Sequence, residues 1–186
     1  MISLLTYPTD QLPPEWHWQV LSFLRVTWPE GFAGPLRQRD WITRPDDHPL
    51  SFLLVEGDLL LGHVNVVWKQ LAHGGEDFKA YGLTGVFTYP SVRGQGYGLE
   101  LVRQATAYID GQDADVALLN CAPATAPFYQ RAGWEPLPAA RTWIGPPDAR
   151  KRADELLMMR FVSARGQRRR PWFEQGDLYF GSDSTW

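Results

Sequence analysis

Residues 78–109 read FKAYGLTGVFTYPSVRGQGYGLELVRQATAYI, and this stretch decides the fold. Phe78–Thr88 is rich in aromatic and β-branched residues and predicts a strand. Pro90 and Ser91 end it. Arg93-Gly94-Gln95-Gly96-Tyr97-Gly98 follows, and then Leu99, Val102, Ala105, Thr106 and Ile109 recur at helical spacing up to Asp110-Gly111. A strand, a glycine loop and an amphipathic helix thus succeed one another. Glycines there permit dihedrals other residues resist and let backbone approach a ligand closely. Successive N–H groups at the positive end of a helix then make an anion cradle.

Working upstream, Ser51–Glu56 and Leu59–Trp68 flank Gly57-Asp58 and read as a β-hairpin. His73-Gly74-Gly75 turns the chain into the third strand. Pro13-Pro14-Glu15 opens a helix carrying Trp16, Val20, Phe23, Leu24 and Trp28, which Pro29 and Gly31 stop. A short helix is expected near Leu36–Trp41. Downstream, Val116–Asn120 reads as a strand buried on both faces. A helix over Ala124–Ala132 ends at Gly133. Trp134–Leu137, Arg141–Ile144 and Leu156–Phe161 are later strands, Arg165–Arg170 is a basic loop, and Gly176–Trp186 is a tail. The order predicts a mixed α/β layer fold, one domain over residues 1–186.

Composition narrows the function. The chain has 186 residues, 44% of them hydrophobic and 21% charged, enough to bury a core without staples. Its formal net charge of −3 argues against a dedicated nucleic-acid binder. The single cysteine, Cys121, excludes an intrachain disulfide and fits a reducing, cytoplasmic setting. Met1–Leu5 lacks a basic leader, and no run is long enough to span a membrane. His17, His48, His63 and His73 show no metal-ligand spacing, so no metal is expected. Cys121 reads as a small buried hydrophobe. The nine tryptophans read mostly as core residues.

The glycine loop is not a Walker loop, since no Gly-Lys-Ser/Thr follows, nor a Rossmann fingerprint, since the sheet before it is hairpin-built. A second motif, Pro127-Phe128-Tyr129-Gln130-Arg131-Ala132-Gly133-Trp134, lies behind the buried strand. The pair of motifs resembles the GNAT superfamily of acyl-CoA-dependent N-acyltransferases over about Ser51–Leu137, with 138–186 as further strands and tail. The resemblance implies a mixed, mostly antiparallel α+β sheet flanked by helices, with two strands splayed around acyl-CoA. It implies acetyl-CoA as co-substrate and transfer of an acetyl group to the primary amine of a small molecule. It places the pyrophosphate on the backbone of Arg93, Gly94, Gln95, Gly96, Tyr97 and Gly98. The pantetheine arm and thioester fall to Val86, Phe87, Thr88 and Asn120, and protonation of the leaving thiolate to Tyr129. A homodimer is compatible with it, because relatives pair through late strands; no nucleic acid or membrane partner is implied.

Gly31–Gly34 with Asp40-Trp41, and the late Gly176-Asp177-Leu178 with a terminal Trp186, resemble the aminoglycoside 2′-N-acetyltransferase branch. That likeness makes Asp40 and Asp177 substrate-binding candidates. It also places Thr84 where the branch has a substrate-facing glutamate, and Pro35 where it has a second acid. The uncharged Thr84 keeps a second function class open, a GNAT-fold module that binds acyl-CoA without turnover.

Overall fold

In the hairpin of β2 (Leu50–Glu56) and β3 (Leu59–His73), Gly57 takes φ +61° in the turn and the strands pair antiparallel. Both strands are almost continuously buried, as strands covered on both faces require. The computed structural model describes residues Met1–Gly181. β4 (Glu76–Thr88) extends the sheet, followed by α2 (Tyr97–Asp110), β5 (Val116–Cys121) and α3 (Ala126–Gln130). The strand order is β1-β2-β3-β4-β5-β9-β6, with β1 at Ile2–Pro8, β6 at Glu135–Pro136 and β9 at Leu156–Phe161. β4 and β5 run parallel, in register over Ala80–Gly82 and Val116–Leu118, while β1/β2, β2/β3, β5/β9 and β6/β9 are antiparallel. This is the mixed, mostly antiparallel sheet that the family resemblance implies. A second sheet orders β10 (Asp177–Tyr179), β7 (Arg141–Ile144) and β8 (Lys151–Arg152).

The chain divides into two units, Met1–Val67 with Thr84–Ala105 and Trp68–Leu83 with Thr106–Trp186. In the first, α1 (Pro14–Thr27) buries Trp16, Val20, Leu21 and Leu24, which pack with Leu53, Val55, Leu60, Trp41 and Phe87. Gly62 of β3 is required there: a Cβ would stand 2.8 Å from the Phe87 carbonyl and 2.9 Å from Leu101. In the second, Phe78, Val116, Leu118, Leu157 and Met159 share a core with Phe173, Leu178 and Phe180.

Several elements differ from expectation. Two short strands, β8 and β10, stand outside the expected set, β10 within the stretch read as a tail. Ile2–Pro8 forms an unforeseen strand, β1, paired along its whole length with β2. It buries no residue fully, so it carries no hydrophobic alternation to read. The helix expected at Leu36–Trp41 is a single 3-10 turn at Gly34–Leu36, in a segment punctuated by Pro35 and Pro45. Arg165–Arg170 is not a loop but the middle of α4 (Ala164–Glu174). Ser163 caps this helix, its hydroxyl accepting from the Gly166 N–H at 3.0 Å. Gly166 and Pro171 are poor helix formers, and tertiary contacts override them. A Cβ on Gly166 would lie 2.1 Å from the Asp115 carbonyl, so only glycine lets the helix come this close to the start of β5. Among the described residues, no helix is long and apolar enough to cross a membrane.

Candidate active site

In the first unit, the end of β4 and the start of α2 bracket the glycine loop. Gly94 and Gly96 hold φ +81° and +88°, and nothing lies within 4 Å of a Cβ built on either. Packing therefore does not demand glycine at these positions. The left-handed backbone does, and the space before it is open. Arg93, Gly94, Gln95 and Gly96 are exposed, whereas Tyr97 and Gly98 are half-buried in the first turn of α2. The Glu100 N–H bonds the Gly96 carbonyl at 3.0 Å, which starts the helix on the loop. Arg93 folds back, its Nε donating to the Thr88 carbonyl at 3.0 Å. That bond ties the loop to the strand and occupies one backbone group of Thr88.

Within β4, Gly85 takes φ +57°, a left-handed residue in mid-strand that turns the peptide groups after it. Thr84, Val86 and Thr88 are half-buried, while Phe87 sends its ring into the core and stacks on Phe23 at 4.0 Å. Asp40 is exposed, beside the buried Trp41.

In the second unit, the first turns after β5 carry Tyr129 on α3, with its residue 8% exposed. Gly133, at φ +83°, ends this turn, and the Trp134 N–H returns to the Tyr129 carbonyl at 3.2 Å. The indole of Trp134 donates to Thr106 Oγ1 at 2.9 Å, which seats the Gly-Trp part of the motif. Burial, then the neighbouring Cys121 and Glu155, push the Tyr129 phenol well above its ordinary range, so it stays protonated. Burial and Glu155 push the Cys121 thiol up to about 11, which leaves it inert as a nucleophile near neutral pH. Asn120 donates through Nδ2 to Thr142 Oγ1 at 3.3 Å, while its buried Oδ1 has no protein partner.

Sequence reasoning missed Glu155. It sits one residue before β9, whose Leu156 lies opposite Cys121. Much of the residue is open to solvent, yet its carboxyl is desolvated enough to rise above the usual carboxylate range. A lone acid before a strand gives no sequence signal; only the register of β5 with β9 brings it to Cys121.

Asp177 lies on β10 and is already engaged: Arg141 Nε donates to its Oδ1 at 2.6 Å, with both side chains half exposed. Trp186 lies outside the described residues. Three of the four arginines of α4, Arg165, Arg169 and Arg170, are engaged as well. Arg165 pairs with Asp115 and Glu76, Arg169 with Glu76, and Arg170 with Glu135 and Glu174. The run is a staple between elements of the second unit rather than a solvated turn.

Residues 19–137 match the family model described as an acetyltransferase (GNAT) domain. No curated protein sequence matches the chain. Solved structures share the fold at low identity. A probable N-acyltransferase of unknown function from Enterococcus faecalis aligns at 16% identity and TM-score 0.55 over 73% of this chain; the aligned region is 32% of that protein. Escherichia coli ElaA aligns at 16% identity and TM-score 0.60, covering 86% of this chain and 99% of its own. An aminoglycoside 6′-N-acetyltransferase complexed with coenzyme A aligns at 14% identity and TM-score 0.60, covering 87% and 98%. With its glycine loop and Tyr129 segment both inside the matched residues, this chain belongs to the acetyltransferase (GNAT) domain family.

Proposed function

We propose that residues 1–186 act as one acetyltransferase domain that moves an acetyl group from acetyl-CoA to a primary amine of a small molecule. The observation that carries this reading is the open left-handed pair Gly94 and Gly96 at the start of α2. The backbone amides of Arg93–Gly98 hold the pyrophosphate. The backbone of Val86 and Thr88 bonds the pantetheine arm and the thioester carbonyl, with the Val86 N–H facing the oxygen that becomes charged. Phe87 contributes backbone alone, because its ring is core. Asn120, with a free Oδ1, accepts from an amide of the arm.

The amine nitrogen attacks the thioester carbon directly. The carbon–sulfur bond breaks, the thiolate takes the phenolic proton of Tyr129, and the proton lost by the new amide returns to the phenolate through water. The high proton affinity of Tyr129 has a consequence: the proton moves as the carbon–sulfur bond breaks rather than before it.

A cationic acceptor of the aminoglycoside kind is supported by the exposed Asp40, in the segment that resembles that branch. Asp177 faces the substrate only in competition with Arg141, and Thr84 contributes no charge. Once an accepted amine is found, Asp40→Asn is expected to raise its KM severalfold and to spare acetyl-CoA affinity. Unaltered amine kinetics from pH 6 to 9 would remove the cationic-acceptor reading.

Gly96→Val tests the cradle itself. A β-branched residue resists φ +88° and fills the open space, so acetyl-CoA affinity falls tenfold or more, roughly 1.4 kcal/mol. Calorimetry on the folded variant decides: native affinity means that the pyrophosphate is held elsewhere. Thiol release from acetyl-CoA across an amine panel separates the enzyme from a module that binds without turnover.

A further inference from the structure

We infer that His63 is a positioning residue for acetyl transfer: from inside the first unit it holds the Gly85–Val86 peptide so that the Val86 N–H is fixed and strengthened as the oxyanion donor. The inference rests on the proposed function, which gives Val86 that task, and it adds a residue outside both sequence motifs.

His63 lies on β3 and is fully buried. Its Nδ1 is 2.9 Å from the Gly85 carbonyl oxygen. A carbonyl only accepts, so Nδ1 carries the proton and Nε2 is left with a lone pair. Nε2 faces the Asn65 side-chain amide at 3.2 Å and Ser51 Oγ at 3.4 Å. That lone pair can accept from the Ser51 hydroxyl, or from the Asn65 amide when its nitrogen faces the ring. Ser51 and Thr9 close the group, their hydroxyls 2.8 Å apart and 2.8 and 3.3 Å from the same amide end of Asn65. All four residues are buried. Trp41 and Phe87 wall the ring, with centroids at 5.8 and 5.5 Å. The imidazole thus has one tautomer and one orientation.

Its target is the one left-handed residue within β4. At φ +57° the Gly85 backbone leaves regular strand geometry, so neighbouring strands alone do not set the plane of the next peptide. The Gly85 C=O and Val86 N–H belong to one planar trans group and point in opposite directions. A donor locked onto the oxygen therefore fixes the direction of the N–H. It also draws electron density toward the oxygen and makes the N–H a stronger donor. Preorganised donors of this kind act in the transition state more than in the ground state. The expected signature is a fall in kcat with acetyl-CoA affinity kept.

The test uses the full chain with acetyl-CoA labelled at the acetyl carbonyl carbon. In wild type, the infrared carbonyl band of the bound thioester moves to lower wavenumber relative to free acetyl-CoA. In His63→Leu at least half of that displacement is lost, kcat falls about tenfold, and the acetyl-CoA dissociation constant changes less than threefold. His63→Gln, which restores a donor near the Gly85 oxygen, recovers part of both. Should the leucine variant fail to fold, ring ¹⁵N NMR of wild type at pH 7 carries the test: protonated Nδ1 is required, and protonation at Nε2 alone overturns the inference. So does a folded His63→Leu with native kcat and native band displacement. A wild type that binds acetyl-CoA with no displacement overturns the role of His63 and leaves the acyltransferase reading standing. A wild type that does not bind acetyl-CoA overturns both.

Discussion

Tyr129→Phe is expected to slow acetyl transfer by about 10²–10⁴-fold, the usual loss when a general acid is removed, with acetyl-CoA affinity unchanged. Phenylalanine retains the ring, so the packing of α3 and its edge contact with Phe128 at 5.0 Å persist. On the role proposed for Tyr129, only the proton for the leaving thiolate goes. Pre-steady-state mixing with a good amine isolates the chemical step from product release. A chemical step as fast as wild type would reduce Tyr129 to a core residue. A subsidiary effect separates acid catalysis from packing. Thioesters with more acidic thiols need less help, so the variant's deficit shrinks as the leaving group improves.

The second large effect concerns stability. Burial pushes His63 down to about 4 in the folded chain, against about 6.5 when unfolded. Between those values the unfolded chain takes up a proton that the folded chain refuses. The unfolded state therefore binds more protons, and stability falls as the pH drops through this window. Below about 4 both states are protonated and the loss stops growing. The full shift amounts to about 3 kcal/mol for this one group. Carboxylates titrate over the same range, so the useful quantity is a difference. Denaturant unfolding of wild type and His63→Gln at pH 7 and pH 4 should show wild type losing about 3 kcal/mol more than the variant. Equal losses would mean that the imidazole is not excluded from water.

Much of the fold was legible where the chain obeys local rules. The hairpin around Gly57-Asp58, the helix opened by Pro14 and the buried strand from Val116 each combine a periodic apolar pattern with a turn residue of fixed purpose. The family motifs were legible because glycine at φ +81° and +88° leaves little choice of residue. What stayed hidden depends on partners distant in sequence. β1 is an edge strand held by backbone pairing with β2, and its side chains hardly report it. α4 contradicts its own propensities, with Gly166 and Pro171 inside it, and stands because carboxylates on β4, on β6 and just before β5 meet its arginines. Read alone, those arginines suggested a solvated loop. His63 looked like a histidine without a metal partner; its bond to a carbonyl 22 residues away is invisible without the sheet. Glu155 became notable only through the strand register.

The placing of α4 also bears on how the chain folds as it is made. The first unit has all its residues once Ala105 has emerged. The second cannot close so early. Glu76 waits for Arg169, 93 residues later, and Phe78 waits for Phe173. At about 5–20 residues per second, that interval is on the order of 5–20 s. During it, Leu71, Phe78, Val116 and Leu118 have been made without the helix that covers them. Acidic residues are spaced among these apolar strands, at Glu76, Asp113, Asp115 and Glu135. Once α4 arrives, Glu76, Asp115 and Glu135 receive its arginines, so side chains made early in the second unit become the latch that its last helix closes.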